Sequence, residues 1–472
     1  MKTTMAKSEV EVNQDGTVRG GLSNLAVQMI AFGGSIGTGL FLGAGSTIHR
    51  TGPAILFVYL MIGIFFFLMM RAIGEMMYAD PQQHTFVSFI GKYVSPQLGY
   101  FAAWSYWLEL VLAGMAELTA LSTYVKYWFP GGTSSWMVQI VFLLILTAVN
   151  LAMVSSFGKS EILLSGIKIL TILVLIIIGF FLVTTNHHNP AGTQASWGGN
   201  VFAHFELFPH GFHQFINAFP MVFFAFQGME FVGITTAETK NPRKVLPHAV
   251  NQIISRILLF YIGSLLVIMA ITPWKTLNPN ESPFVQIFKL AGLPAAAQVI
   301  NLVVIVAACS TLNSAIFSTG RHLYQLAEES SSKSMSFFTQ VSKNGIPVAS
   351  VLFSALIMVL APIISAFNSL GTAFSFISSV SSDIYILVCI LTMSAHYRYR
   401  HSVDFKVDGF KMPQYRWANP LTVIFFFAIF VSLLFNQASI FPALGALAWA
   451  LGFNLLLLYR QKKLKRVDVQ GS

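Results

Sequence analysis

Long apolar stretches follow one another along almost the whole chain, and short polar segments separate them. A helix needs about 20 mostly apolar residues to cross a bilayer, and about twelve stretches reach that length. We number them spans 1 to 12, and they lie near residues 24–48, 53–78, 98–128, 136–155, 159–183, 213–237, 249–271, 290–325, 346–366, 371–395, 418–436 and 440–459. The longer polar connections leave no room for a separate soluble domain. The pattern predicts an all-α integral membrane protein with about 12 transmembrane helices.

The composition supports this prediction. Of the 472 residues, 55% are hydrophobic and only 10% are charged, whereas soluble proteins carry about 25% charged residues. Signalling modules, soluble enzymes and nucleic-acid binders are therefore excluded. The two cysteines, Cys309 and Cys389, both lie in apolar runs, which excludes a disulfide framework or a Cys-rich metal site. We expect no cofactor and no metal.

The distribution of basic residues predicts the orientation in the membrane. With the N-terminus inside, the 28 Lys and Arg lie on or near the cytoplasmic side, except for Arg50, Lys126, Lys275 and Lys289. The net charge of +10 is then an orientation signal rather than a nucleic-acid patch. We expect a multi-pass protein of the cell membrane, in contact with the lipid bilayer, with both termini in the cytoplasm.

Span 1 contains an unusual amount of glycine. The string GGSIGTGLFLGAG, residues 33–45, has six glycines, and each costs a helix about 1 kcal/mol relative to Ala. In a membrane, irregular backbone survives only where it is buried in protein or lines a cavity. The alternative is close helix packing through small residues, which accounts better for Gly39 and Gly43. For the cluster at 33–37 we favour an unwound segment.

Span 6 repeats this signal with Pro220 followed by FAFQGMEFVGITTAE, in which Gly228 and Gly233 flank Glu230. Spans 1 and 6 occupy corresponding positions if spans 1–5 and 6–10 are two repeats, the second one inverted. Interrupted helices at matching positions of inverted halves indicate the substrate site of a transporter. Free N–H groups at half-helix N-termini suit a carboxylate, and unwound carbonyls suit an ammonium group. The two interruptions predict a site for a zwitterion.

Several strings carry a family resemblance: GGSIGTGLFLGAG, MRAIGEMM, GMEFVGITTAETKNPRKVLPHAVNQI and SPFVQIFKLAGLPAAAQVIN. They resemble the amino acid–polyamine–organocation superfamily and, within it, the bacterial amino acid transporter family. The nearest likeness is to D-serine/D-alanine/glycine permeases and related serine and alanine permeases. The resemblance covers nearly the whole chain.

The resemblance implies a leucine-transporter-type core of ten helices in a 5+5 inverted repeat at 23–396, followed by two C-terminal helices at 397–460. A cytoplasmic tail at 1–22 and a basic cytoplasmic tail at 461–472 complete the chain. It also implies a bacterial, non-enzymatic carrier that imports small neutral amino acids, namely serine, alanine or glycine, with protons and by alternating access. An exchanger, or a permease for another class of amino acid, remains the alternative.

The expected substrate site is mostly backbone. The N–H groups that would bind the carboxylate belong to Ser35, Ile36, Gly37, Thr38 and Gly39. The carbonyls that would bind the ammonium group lie near Phe223, Ala225 and Phe226, beside Gly228. Phe226 is also a gate candidate, because an aromatic ring can cap a small substrate. In span 8 the polar residues Ser310, Thr311, Asn313 and Ser314 offer hydrogen bonds, and Asn313 is included in the substrate set.

Ionisable residues at membrane depth are functional candidates because burying them is costly. The resemblance implies that Lys168 of span 5 stands where related transporters bind sodium, and that it carries the coupling proton. A lysine that snorkels towards the cytoplasm is the alternative. No acid lies close to Lys168 in the sequence, in the string SGIKILTIL.

Four acids are the remaining candidates. Glu117 matches an acidic position of the family and is assigned to proton relay or to polarity on the substrate side. Glu230 is assigned to proton coupling or, equally, to holding the unwound backbone of span 6. Glu109 either shares such a role or pairs with a base, and Asp383 departs from the family pattern. At the inner end of span 2, Glu75 is expected to pair with Arg71 four residues earlier.

Overall fold

The computed structural model describes residues 29, 36–81, 83, 85–131, 134–152, 157–190, 192–203, 205–231, 242–330, 332–342 and 345–470. Within these ranges the chain is almost entirely helical, and an isolated bridge between His188 and Gln194 is the only strand-like pairing. The α-helices are Thr38–Phe41, Gly43–Thr51, Ile55–Ala79, Ser88–Tyr93, Pro96–Trp128, Ser135–Ala152, Phe157–Thr184, Phe212–Asn217, Phe219–Phe226, Pro242–Asn251, Ile253–Arg256, Ser264–Ile271, Pro283–Leu290, Pro294–Glu328, Val348–Met358, Leu360–Phe367, Leu370–Arg400, Tyr415–Leu434 and Ile440–Gln470. Short 3-10 turns lie at Gly52–Ala54, Trp274–Thr276 and Lys333–Thr339, and π-helical turns at Gly198–Phe202 and Ile257–Gly263.

Ten helices of the described chain are long and apolar enough to cross a membrane. They are Gly43–Ala79, Pro96–Trp128, Ser135–Ala152, Glu161–Thr184, Arg243–Ile271, Pro294–Glu328, Val348–Phe367, Leu370–Arg400, Tyr415–Leu434 and Ile440–Tyr459, and they contain spans 2–5 and 7–12. Spans 1 and 6, in which the sequence predicts interruptions, consist of shorter helices. The prediction of an all-α, multi-pass membrane protein is confirmed.

The ends of the long helices follow from local chemistry. Span 3 begins at Ser95, whose hydroxyl accepts a hydrogen bond from Leu98 N–H at 3.2 Å, with Pro96 in the first turn. Ser369 caps span 10 in the same way by accepting from Thr372 N–H at 3.2 Å. Both are favoured N-cap residues because their oxygen satisfies an N–H group that has no partner within the helix. These caps fix where the two central helices start.

Spans 3, 8 and 10 form the centre of the molecule. In the most apolar stretch of span 3, 72% of residues are buried, against 33% for span 11 and 17% for span 12. Spans 8 and 10 pack along span 3, with Asn301 Nδ2 donating to Tyr124 O at 3.0 Å and Ser381 Oγ donating to Glu109 O at 3.3 Å. Spans 11 and 12 are therefore peripheral additions, and the polar residues of the central spans are enclosed by protein.

A buried ion pair joins span 2 to span 10. Glu75 Oε2 accepts from Arg400 Nη2 at 2.7 Å and from His396 Nε2 at 3.1 Å. Asn419 of span 11 donates to the other ring nitrogen of His396 at 2.9 Å. The predicted pair between Glu75 and Arg71 is wrong, because the Arg71 guanidinium donates to span 7 and to the connection before span 11 instead. Tertiary packing thus determines the partner of Glu75.

Charged side chains also link the connection between spans 2 and 3 to the connection between spans 10 and 11. Lys92 Nζ lies 3.2 Å from Asp80 Oδ2 and 3.1 Å from Asp404 Oδ2, and the Tyr93 hydroxyl donates to Asp404 at 2.9 Å. Hydrogen bonds from Lys92 and Tyr93 hold the pKa of the exposed Asp404 carboxyl below its usual range. Asp404 is therefore ionised at neutral pH, and the two connections lie on the same side of the molecule.

Candidate substrate site

In the described part of span 1, non-helical backbone lies at the end of the 33–37 segment that the sequence predicts to be unwound. Ile36 and Gly37 are not helical, and Gly37 is extended, with φ −120° and ψ −165°. A single helical turn, Thr38–Phe41, follows before the helix resumes at Gly43. Ser35 and the glycines at 33 and 34 lie outside the described residues.

Span 6 is interrupted directly after Phe226. Gln227 leaves the helix with φ −59° and ψ 146°, and Gly228 has φ +90°. A positive φ of this kind favours glycine, because other residues carry a Cβ that clashes there. The backbone of span 6 is therefore non-helical at residues 227–230, where the sequence predicts the interruption, and residues 232–237 of the span lie outside the described residues.

The two interrupted helices cross in direct backbone contact. A Cβ atom on Gly39 would lie 2.6 Å from Cα of Ala225, and one on Gly43 would lie 2.5 Å from Sδ of Met221. Real Cβ atoms do not approach other atoms so closely, so Gly39, which meets backbone, requires glycine, whereas a side chain at position 43 would force the Met221 side chain to move. Close packing therefore explains Gly39 and Gly43, as the sequence suggested for these two.

Glu117 of span 3 reaches the interruption in span 1. Its Oε1 accepts from Thr38 N–H at 3.2 Å, and a Cβ on Gly37 would lie 2.8 Å from the same oxygen. Oε2 has no hydrogen-bond partner among the described residues. A protein carboxylate thus stands at one of the N–H groups predicted to bind the substrate carboxylate.

Lys168 reaches the same part of span 1 through Thr311. The side chain is fully buried, and Nζ donates to Thr311 Oγ1 of span 8 at 3.1 Å. That oxygen would lie 3.5 Å from a Cβ on Gly37. We call Gly37, Thr38, Glu117, Lys168 and Thr311 the span 1 polar cluster. It brings together residues of spans 1, 3, 5 and 8 that the sequence analysis assigned to substrate binding and proton coupling.

Glu230 stabilises the interruption in span 6. Its Oε2 accepts from Gly228 N–H at 3.0 Å, and its Oε1 accepts from the Tyr106 hydroxyl at 3.3 Å. The carboxylate therefore satisfies an N–H group that the unwound backbone would otherwise leave without a partner. The expectation that Glu230 holds this backbone in place is confirmed.

The carbonyls predicted to bind an ammonium group are already hydrogen-bonded once. Phe223 O accepts from Gln227 N–H at 3.2 Å, Phe226 O from Met229 N–H at 3.3 Å, and Ala225 O from the Tyr261 hydroxyl at 2.9 Å. A carbonyl oxygen has two lone pairs. Each of the three can accept one further hydrogen bond.

The ring of Phe226 lies in an aromatic cluster beside the interruption. It stacks on Tyr261 with centroids 4.9 Å apart, and Phe66 and Tyr59 lie at 5.3 and 5.9 Å. Because Tyr261 also binds Ala225 O, the cluster connects the aromatic surface to the backbone of span 6.

Asn313 points away from the span 1 polar cluster. Its Oδ1 accepts from Asn150 Nδ2 of span 4 at 2.7 Å. It lies two positions after Thr311 in the helix, which is about 200° of rotation, so the two side chains leave span 8 in different directions.

Two further acids are buried in the central spans. Glu109 interacts electrostatically with Glu230, and its Oε2 has no hydrogen-bond partner among the described residues. Asp383 is fully buried, and within the same ranges neither of its carboxyl oxygens is hydrogen-bonded. The structure pairs neither acid with a basic group of the described chain.

Sequence reasoning missed Glu161 of span 5. This residue is 1% exposed, and its two carboxyl oxygens lie 2.9 and 3.1 Å from Ser310 Oγ. Its charge acts on Lys168, so the expectation that no acid lies near Lys168 is wrong. The signal was present in the spacing, because residues seven apart lie on the same face of a helix, two turns from each other.

Spans 1 and 6 cross beside their non-helical segments, within a bundle of membrane-spanning helices, and buried polar groups lie at both segments. This arrangement is typical of a secondary transporter. In the described residues no group of three or more His, Cys, Asp or Glu forms a metal site.

Comparison with known proteins gives the family. The family model of the amino acid permeases matches residues 26–461. The chain therefore belongs to the amino acid permease family, within the amino acid–polyamine–organocation superfamily. Members of this family are transporters and not enzymes, which confirms both the resemblance and the class.

The chain is also similar to individual permeases along most of its length. The DL-alanine permease SerP2 of Lactococcus lactis subsp. cremoris is 43% identical over 448 residues, which cover 95% of this chain and 96% of that protein. The serine permease SerP1 of the same organism is 42% identical over 452 residues, covering 94% and 98%. A D-serine/D-alanine/glycine transporter of Escherichia coli is 38% identical over 454 residues, covering 95% of each.

Proposed function

We propose that this protein imports small neutral amino acids of the serine, alanine and glycine group by proton symport with alternating access. The names of the three relatives support the substrate class. The observation that carries the proposal is the span 1 polar cluster, in which a buried carboxyl group and, through Thr311, a buried amine both reach the non-helical backbone at Gly37. Both groups can bind and release a proton.

The substrate carboxylate binds backbone N–H groups at the interruption in span 1. The groups are those of Ser35, Ile36, Gly37, Thr38 and Gly39. Glu117 already accepts from one of them, and two carboxylates side by side repel each other. A proton on Glu117 removes this repulsion, so binding of the substrate favours binding of a proton.

The substrate ammonium group binds the second lone pairs of the carbonyls of Phe223, Ala225 and Phe226, next to Gly228. Phe226 then covers the substrate as an aromatic gate. Asn313, bonded to Asn150, contributes by keeping spans 4 and 8 together beneath the site.

Lys168 couples the proton to the conformational change. A ligand shifts a conformational equilibrium only through different affinities for the two states. The charge on Lys168 acts on spans 5, 8 and 1 through Thr311 and Gly37, so its protonation favours one arrangement of these spans. Glu230 supports coupling from the second interruption.

The fold is divided as the resemblance implies. Residues 23–396 form the ten-helix transport core, 397–460 form spans 11 and 12, and the tails 1–22 and 461–472 lie in the cytoplasm. The basic residues support this orientation of both termini.

Reconstituted uptake tests the function. Purified protein in liposomes should accumulate labelled serine when the outside is more acidic, and a protonophore should abolish the accumulation. Unlabelled D- and L-serine, D- and L-alanine and glycine should compete, whereas lysine and glutamate should not. Uptake that ignores the protonophore but requires an amino acid inside the liposomes would identify an exchanger instead.

Substitution of Lys168 tests the coupling. Lys168→Ala should abolish accumulation driven by the proton gradient, because no amine remains to bind the proton, and should leave exchange of labelled for unlabelled serine. The matched control is Lys289→Ala, which removes an exposed lysine of the outer connection. Wild-type pH dependence in the Lys168→Ala protein would contradict the coupling role.

A further inference from the structure

Glu161 is a buried acid that the proposed function does not use. It lies at the start of span 5, four residues after Phe157, and is 1% exposed. An acid at this place is costly unless it has a partner. The buried position of Glu161 therefore indicates that this acid has a specific role, which its contacts can identify.

Glu161 and Lys168 bind neighbouring residues of span 8. Glu161 accepts from Ser310 Oγ, and Lys168 donates to Thr311 Oγ1 at 3.1 Å. On span 5 the two residues are seven positions apart, so they share a face and their Cα atoms are separated by about 10 Å along the axis. Because Ser310 and Thr311 are consecutive residues, the Glu161 carboxylate and the Lys168 ammonium group contact the same part of span 8.

Other titratable groups also act on Lys168. They are Glu117 from span 3 and the thiol of Cys309 from span 8. The parts of span 7 that pack against span 5, Ile257–Gly263 and Ser264–Ile271, contain no charged residue, and Tyr261 is their titratable group. Glu117 belongs to the proposed substrate site, whereas Glu161 is held by Ser310, so Glu161 is the acid acting on Lys168 that has no other proposed role.

We propose that Glu161 is the counter-charge of Lys168, a positioning residue that stabilises the protonated amine and so sets the pH at which the transporter binds its coupling proton. This inference rests on the proposed function. Glu161 does not touch the substrate, and it acts through Lys168. Ser310 holds its carboxylate in place.

A purely structural role is the competing explanation, in which Glu161 only connects spans 5 and 8. Glu161→Gln separates the two roles. The amide oxygen of Gln can still accept from Ser310 Oγ, so the connection is retained while the charge is lost. Ser310→Ala removes the connection and retains the charge.

The decisive measurement is the pH profile of the reconstituted protein. In Glu161→Gln the pH of half-maximal serine uptake should move down by about one unit, because an opposite charge nearby changes proton affinity by one to three units. Exchange of labelled for unlabelled serine should stay close to wild type. The control Glu329→Gln, which removes an exposed acid at the inner end of span 8, should leave the profile unchanged.

Equilibrium binding separates this inference from the proposed function. Binding of labelled serine to detergent-solubilised protein, measured from pH 5 to 9, does not depend on a gradient. If wild-type uptake does not respond to a proton gradient, symport fails, but a lower binding midpoint in Glu161→Gln would still support the counter-charge. Identical midpoints in both proteins, or a wild-type curve without a midpoint in this range, would overturn it.

Discussion

Gly37 and Gly39 stand two residues apart, and an added methyl group would meet very different atoms at each. At Gly37 it would meet Oε1 of Glu117 at 2.8 Å, the end of a flexible side chain. At Gly39 it would meet backbone atoms of Ala225, which cannot move without moving the helix. Gly37 leaves space for the Glu117 carboxylate, and Gly39 leaves space for the backbone of span 6.

Gly37→Ala should therefore impair transport more than stability. The new methyl group narrows the interruption where the substrate carboxylate is proposed to bind, and the flexible side chain of Glu117 can move away from it. A hydrogen bond to a charged group contributes about 1.5–3 kcal/mol, so the loss of one between the backbone and the substrate carboxylate should raise the KM for serine by about tenfold or more, while the melting temperature stays close to wild type. Gly445→Ala in span 12, where nothing lies within 4 Å, is the matched control. An unchanged KM would argue against binding of the substrate carboxylate at this interruption.

At the scale of helices, the candidate site depends on the contact at which spans 1 and 6 cross. Span 1 approaches span 6 at Gly39 and Gly43, and the interruptions lie close to this crossing, at Gly37 and Gly228. Each helix therefore supports the unwound segment of the other. A change that separates the helices affects both interruptions.

Gly39→Ala tests this contact. Overpacking costs about 1–3 kcal/mol, so the free energy of unfolding should fall by that order and the melting temperature should drop. Thermal unfolding of purified protein, followed by loss of serine binding, measures the effect. Gly452→Ala in span 12, which also has nothing within 4 Å, should unfold like wild type, and equal melting temperatures of the two variants would argue against the crossing.

Local sequence was sufficient for the helices and their interruptions, since glycine content and apolar length are properties of one segment. Local sequence was insufficient to predict which side chains bind each other. Glu75 binds Arg400, 325 residues further on, rather than the arginine one turn away, and Glu161 binds Ser310, 149 residues further on. Such pairs depend on which helix faces meet, and one sequence does not reveal that. Asn313 illustrates the same limit, because its polarity is visible in the sequence but its direction is not.

At the scale of the whole molecule, the proposed orientation places the charged connections and most basic residues on one inner face. Lys92 and Asp404 join two connections that the positive-inside rule predicts to lie in the cytoplasm. The connection at 184–212 should lie on the opposite side. The orientation follows from the summed charge of all the connections rather than from any single residue.

Cysteine labelling tests the orientation, with both native cysteines replaced by serine. Val403→Cys, at a fully exposed position between spans 10 and 11, should react with a membrane-impermeant thiol reagent only in inside-out vesicles. Glu206→Cys, in the exposed connection between spans 5 and 6, should react in intact cells. The reverse pattern would contradict the placement of both termini in the cytoplasm.

The buried ion pair between Glu75 and Arg400 determines where span 2 can pivot. It fixes the Glu75 end of Ile55–Ala79 to span 10, and separating a buried ion pair is costly. A helix of this length extends about 37 Å, so a tilt of about 10° about the fixed end displaces the other end by about 6 Å. Any tilt of span 2 that keeps this ion pair therefore turns about the Glu75 end, and the Ile55 end moves furthest.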